Sequence, residues 1–480
     1  MLTRAFRLSI LTYLNQLAII ILFWLQVKIS THFVSVKDYG SWDQIIIAIN
    51  FLTVILSLNL GHGFIRFSSS FSEGKKKITF TTVLISQLGV ILLVSLIMSP
   101  LWSHITMMLV DKSSLLIYVL ISLISLLQIS ISNIQNYLLV NRKEINMIFQ
   151  NLIQYFLDLI LVALLVFCIP DIYGLIVGYA LSKMLSFLIF FVVNRIYRIS
   201  FVFSIDILKT LLRFSLPLIL VSLSYWVTSS SARYFINYYW GLEKVAMFAI
   251  PNRILMFIVM LFSLISTIFL SNISKLYDSG NRDRVDFWFS NILVLYFSLG
   301  ILGGSFLIMT SKYMTLLLSN ANYTFDDMSF VYMFVVTGNL AYGGVQILSK
   351  IYDLEKKVIS NGINYLFIML LNIVLSVLLI PRFGLIGASL SIMISFVLGF
   401  VVVMCRRPMS VNLDIPWGRF LVFMIVSFSF SVFFSESKDM MSLTFFNSFI
   451  IPTLITVFYL LVGISLKVIS VKQIVMLIRR

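Results

Sequence analysis

Two arginines stand inside apolar sequence in the stretch YWVTSSSARYFINYYWGLEKVAMFAIPNR, which runs from Tyr225 to Arg253. A guanidinium in such surroundings binds anions, and its planar fork matches carboxylate or phosphate oxygens two at a time. Arg233 and Arg253 are equidistant from Glu243, in the turn Gly241–Glu243. If that turn joins two helices as a hairpin, a rise of 1.5 Å per residue brings both arginines to one depth, about 15 Å from the tip. Thr228, Ser229, Ser230 and Ser231 add hydroxyls beside them. Tyr225, Trp226 and Tyr234 could stack on sugar rings, whereas Tyr238, Tyr239 and Trp240 fit better the aromatic belt at a membrane surface.

Asp158 and Lys183 repeat the hairpin geometry, with their midpoint at the turn Pro170-Asp171. The spacing predicts that they face each other at mid-membrane, where opposite charges offset part of the burial cost of each. A purely structural ion pair and a proton- or ion-responsive gate both remain open. Lys28, near the outer end of the first apolar run, is a third candidate for the anion, with snorkelling to the headgroups as its alternative. With Asp158 as the sole intramembrane acid, Arg233, Arg253 and Lys183 would leave a central cavity net positive.

The elements that must position these residues follow from composition. Hydrophobic residues make up 60% of the 480-residue chain, charged residues 11%, and the mean hydropathy is +1.03. Those values belong to a polytopic membrane protein. Windows of about 20 apolar residues predict about fourteen transmembrane helices, the second centred near 54, the eighth near 259 and the eleventh and twelfth near 370 and 393. The start, MLTRAFR and a long apolar run, reads as a retained first helix rather than a cleaved signal.

Basic residues favour cytoplasmic loops. With the N-terminus inside, most of the 35 Lys and Arg fall on cytoplasmic segments, whereas Lys28, Lys37, Lys112, Lys244, Lys312, Arg382 and Lys438 fall outside. Both termini are then cytoplasmic. The net charge of +16 is a topology signal, and no nucleic-acid partner is needed to explain it.

No metal site is expected, because Cys168, Cys405, His32, His62 and His104 lack ligand spacing and the histidines lie in or beside different loops. No loop is long enough for a catalytic domain and no P-loop is present, so an enzyme or ATPase is not expected. A secondary transporter remains.

Internal repeats set the architecture. FSEGKKK (71–77) aligns with YDSGNRD (277–283), Arg7 with Arg213, and the outer turn VKDYGSW (36–42) with LEKVAMF (242–248). Further on, Gln135 aligns with Gln346, and IPDIYGLIVGYALS from Ile169 with IPRFGLIGASLS from Ile380. The expected fold is therefore an all-α polytopic membrane protein of two parallel six-helix repeats, 1–200 and 201–410, followed by two further helices in 411–480. The GxxxG spacings Gly174/Gly178 and Gly300/Gly304 predict close helix packing. Pro217 and Pro251 are candidate hinges.

The outer turn SVKDYGSW, the run LLRFSLPLILVSL, the segment ARYFINYYWGLEKVAMFAIPNRI and the IPxxxGLI repeats resemble the polysaccharide flippase family. These are the Wzx-like O-antigen and capsule exporters of the multidrug/oligosaccharidyl-lipid/polysaccharide superfamily. The likeness covers the whole chain in length, span count and duplication. It implies a V-shaped transporter in the bacterial inner (cytoplasmic) membrane, acting in polysaccharide or lipopolysaccharide biosynthesis. Its substrate would be undecaprenyl-pyrophosphate-linked oligosaccharide, carried to the outer leaflet by alternating access. Membrane lipids and the polysaccharide polymerase machinery would be its partners. No cofactor is implied, with coupling to a proton or cation gradient left open. In that setting Arg233, Arg253 and Lys28 would hold the pyrophosphate. The family pattern leads one to expect an acid just before the arginine of span seven, and Ala232 stands there, which puts any coupling role at that position in doubt. The alternative is a multidrug or toxin exporter of the same superfamily, whose cavity would favour carboxylates.

Overall fold

The structure is a computed structural model and describes residues 2–68, 71–255, 273, 276–277, 279–355, 357–408, 411–437 and 446–465. Among the described residues every regular element is helical. Physics leaves little choice, because a chain in hydrocarbon must pair its backbone polar groups within its own segment. Among the described residues twelve stretches are long and apolar enough to cross a membrane. The expected eighth span, near 259, and the segment after Ser465 with the C-terminus lie outside the described residues.

The chain folds as two compact units, Met1–Ala246 and Met247–Arg480. The boundaries expected near 200 and 410 follow the internal duplication rather than compactness. The first unit holds α1 (Leu2–Phe33), α2 (Val36–Leu56), α3 (Leu60–Ser68), α4 (Glu73–Met98), α5 (Trp102–Val110), α6 (Leu115–Val140), α7 (Glu144–Cys168), α8 (Ile172–Val193), α9 (Ile205–Ser230) and α10 (Ala232–Trp240). Helical residues 242–255, α11, run across the division. The second unit continues with α12 (Arg282–Met309), α13 (Ser311–Leu318), α14 (Met328–Leu354), α15 (Val358–Arg406), α16 (Trp417–Glu436) and α17 (Ile451–Ser465).

The first unit is built around α2, which touches α1, α4, α5, α6, α8 and α9. Its start is set by a reciprocal cap. Ser35 Oγ accepts from the Asp38 amide at 3.1 Å and donates to the Asp38 carboxylate at 2.8 Å, which satisfies an otherwise orphaned amide of the first turn. VKDYGSW, expected as an outer turn, is therefore the first two turns of α2. Gly40 is needed there because a Cβ would collide with the Leu242 carbonyl. The start of α11 can thus lie directly on α2, next to the turn that follows α10.

α7 and α8 form a tight hairpin. Asp171 caps α8 by accepting from the Tyr173 and Gly174 amides at 2.7 and 3.2 Å, and Gly178 rests on the backbone of Val162. In the second unit Gly300 faces Leu340 and Gly304 faces Val336 and Phe428, so α12 packs closely on α14 and α16. α15 is not one rod. Ser376 Oγ lies 3.2 Å from Ser391 Oγ, 15 residues away, whereas a continuous helix would separate them by about 22 Å. The chain reverses at Gly384, φ 54° and ψ −125°, and the stretch Ile359–Arg406 holds both of the spans expected near 370 and 393.

Candidate functional site

Arg233 is the second residue of α10, and its surroundings differ from the expected cavity. Its Nε lies 3.0 Å from Asp43 Oδ2, with side-chain exposures of 12% for the arginine and 5% for the aspartate. Asp158 is therefore not the sole acid in the apolar interior, and the net positive cavity loses one of its charges. The cause is the Ser35 cap. By starting α2 at Val36, it carries Asp43 seven residues into the helix, about 10 Å along its axis. The adjacent Gln44 donates from Nε2 to the Arg233 carbonyl at 2.8 Å, so neighbouring residues of α2 hold the arginine by both side chain and backbone. Ala232, where the resemblance led us to expect an acid, is fully buried. The carboxylate beside Arg233 comes from α2 instead.

Aromatic rings close one flank. Trp226 of α9 lies 4.5 Å from Phe51 of α2 and 6.1 Å from Tyr234 of α10, ring centre to ring centre. Trp226 thus packs against both α2 and Tyr234, and Tyr225 is half-buried next to Trp226 in α9. Tyr238 is 82% exposed at the end of α10, and Tyr239 and Trp240 are exposed beside it. Lys28 is half-buried on α1, its carbonyl accepting from Thr31 Oγ1 at 3.2 Å. Arg253 is buried on α11 and belongs to the second unit, whereas Arg233 and Lys28 belong to the first.

The structure joins Asp158 and Lys183 across the α7–α8 hairpin, Nζ to Oδ2 at 2.8 Å, with both side chains no more than 3% exposed. The second carboxylate oxygen accepts from Ser182 Oγ at 2.5 Å, and the ammonium lies 4.4 Å from the centre of the Tyr179 ring. That ring meets Trp42 of α2 edge-on at 5.3 Å. Trp42 precedes Asp43, so the two buried ion pairs adjoin one segment of α2. Sequence reading missed Asp43, Gln44, Trp42 and Tyr179. The signal that could have found Asp43 is Ser35-x-x-Asp38, a cap pattern that moves the helix start upstream.

With this geometry in hand, likeness to known proteins decides the family. Residues 31–324 match the family described as polysaccharide biosynthesis protein, more than half of the chain. The chain belongs to this family. The match takes in both ion pairs, on α2, α7, α8 and α10. No curated protein matches the sequence significantly. Solved structures resemble this polysaccharide biosynthesis protein through the fold alone. The lipid II flippase MurJ in an inward closed conformation has a TM-score of 0.70 and 16% identity over 96% of this chain and 98% of that one. An inward-facing multidrug resistance MATE transporter of the MOP superfamily gives 0.62 and 16%, over 87% and 98%. A MOP superfamily transporter from Pyrococcus furiosus, described as having a binding pocket of reversed polarity, gives 0.59 and 15%, over 88% and 96%. The fold is that of MurJ and MATE transporters. This polysaccharide biosynthesis protein is accordingly a multi-pass membrane protein with the fold of those transporters.

Proposed function

We propose that the protein is a flippase for undecaprenyl-pyrophosphate-linked oligosaccharide in the bacterial inner membrane, with both termini cytoplasmic. It delivers an O-antigen or capsule repeat unit to polymerase machinery on the far side. The observation that carries this reading is Arg233, a guanidinium within an apolar span whose Nε meets one carboxylate, Asp43. A pyrophosphate has more charge and more acceptor oxygens than a carboxylate, and Arg binds such groups bidentately. It can therefore exchange with Asp43 on the guanidinium, with Lys28 of the same unit adding positive charge; Arg253, in the second unit, is a separate candidate for the anion. Alternating access releases the headgroup to the other leaflet. The polysaccharide family and the MurJ-like fold support the substrate class.

The second reading, a multidrug or toxin exporter coupled to a proton or cation gradient, draws on the buried carboxylates Asp43 and Asp158. Thermal-shift titrations of the purified protein separate the two. Undecaprenyl pyrophosphate should raise the melting temperature of wild type and fail to do so for the Arg233→Ala/Arg253→Ala double variant. Stabilisation by cationic drugs, undiminished in that variant and absent for the lipid pyrophosphate, would favour the exporter. In a flippase-deficient strain, normal surface polysaccharide from the double variant at matched protein level would remove the arginines from substrate binding.

A further inference from the structure

A second polar place lies within the first unit, away from Arg233. α2 ends at Leu56 and α3 starts at Leu60, and between them Leu58 and Asn59 take left-handed backbone conformations, φ 49° and 50°. Two consecutive non-glycine residues of this kind break the helix and free carbonyls and amides that lipid cannot satisfy. Irregular backbone at membrane depth persists only where protein or a polar cavity receives it. Both are present. Gln87, fourteen residues into α4, donates from Nε2 to the Ser57 carbonyl and accepts from Asn133 Nδ2 at 2.6 Å. Asn59 Nδ2 donates to Ser222 of α9 at 3.0 Å. Around the break lies a cavity of about 220 Å³ whose lining includes Asn59, His62, Gln87, Ser132, Asn133 and Asn136. His62, expected in or beside a loop, is on the first turn of α3. It and Ser132 are exposed at the rim, whereas Asn59, Gln87 and Asn133 are buried.

The lining decides the ligand class. It contains no Asp, Glu, Lys or Arg, so an ion of either sign would lie in the membrane interior without a counter-charge. Most lining side chains are polar, which disfavours an acyl chain. Amides, hydroxyls and an imidazole offer donors and acceptors together, the set that a hydroxyl group, itself both donor and acceptor, can satisfy on each side. We infer that this cavity is a subsite for a neutral sugar of the transported glycan. The inference rests on the flippase reading above and adds to it a place, formed by the α2–α3 break with α4, α6 and α9, where the glycan contributes affinity.

The test compares two probes on the purified full-length protein in nanodiscs: undecaprenyl pyrophosphate, and the same lipid carrying one neutral hexose. Wild type should bind the glycosylated lipid at least tenfold more tightly. Ser132→Leu and Asn136→Leu place apolar bulk at the rim and in the wall. They should bind the bare lipid as wild type does and lose the tenfold increment, which also controls for folding. Equal binding of the two probes by wild type, or an increment that survives both substitutions, would mean that the cavity holds only water and would overturn the subsite. Failure of wild type to bind the bare lipid would instead overturn the flippase reading, and the subsite with it.

Discussion

At the scale of single residues, the interior of the first unit contains charges in pairs. Removing one partner of a buried pair leaves the other unpaired in a low-dielectric setting, which costs about 3–5 kcal/mol. Asp158→Ala or Lys183→Ala should each lower the melting temperature of the purified protein more than the double replacement does, and strictly additive losses would mean that the residues do not interact. The same reasoning applies to Asp43 and Arg233. Asp43→Asn should destabilise, Arg233→Gln added to it should restore part of the loss, and the coupling read from a double-mutant cycle should fall within about 0.5–3 kcal/mol. The first pair was legible in the sequence because it needed only a turn and equal spacing on each side. The second was not, because Asp43 becomes an interior residue only once the start of α2 is known, and an acid eight residues after Ser35 reads as a loop residue until that cap is recognised.

At the scale of elements, the helices were legible from hydropathy, whereas their breaks were not. Apolar runs of about 20 residues fixed where spans lie. The interruption at Leu58–Asn59 carries no glycine or proline, and what sustains it is Gln87 of α4, some thirty residues further along. No local pattern announces a contact of that kind. Gly384 is the opposite case, since the match of IPRFGLI with IPDIYGLI points to a turn directly. Its φ of 54° with ψ of −125° is a conformation that side chains with a Cβ avoid. Gly384→Ala should therefore destabilise by about 1–3 kcal/mol, seen as a lower melting temperature, whereas Gly362→Ala, in the helical arm before that reversal and with open space around it, should stabilise slightly or have no effect. An equal response at both positions would refute the turn at Gly384.

At the scale of the whole molecule, membrane orientation depends on the ends of the helices rather than on their interiors. In the first unit the start of α4 presents Lys75, Lys76 and Lys77, the α6–α7 connection Arg142 and Lys143, and the segment after α8 Arg195 and Arg198. Helix alternation places these three groups at one end of the bundle. At the other end Lys37 pairs with Asp111 at 3.2 Å, with both side chains about half exposed, so that positive charge has a neighbouring acid. Loops rich in Lys and Arg stay in the cytoplasm, and on that ground the first end is the one we propose as the inner one. In the second unit, α12 separates Gly280 from Asn322 by a single span of 28 residues, long enough to cross the hydrocarbon once at 1.5 Å per residue. Arg282 and Arg284 stand at its start, beside Gly280, and the α13–α14 connection that contains Asn322 carries Asp326 and Asp327 and no Lys or Arg. The two points then lie on opposite faces, and the proposed orientation puts Gly280 inside. Alkaline phosphatase, which is active only outside the cytoplasm, should be active when fused after Asn322 and inactive when fused after Gly280. The reverse pattern would turn the molecule over, place the basic ends outside, and require the substrate to be loaded from the face now assigned to release.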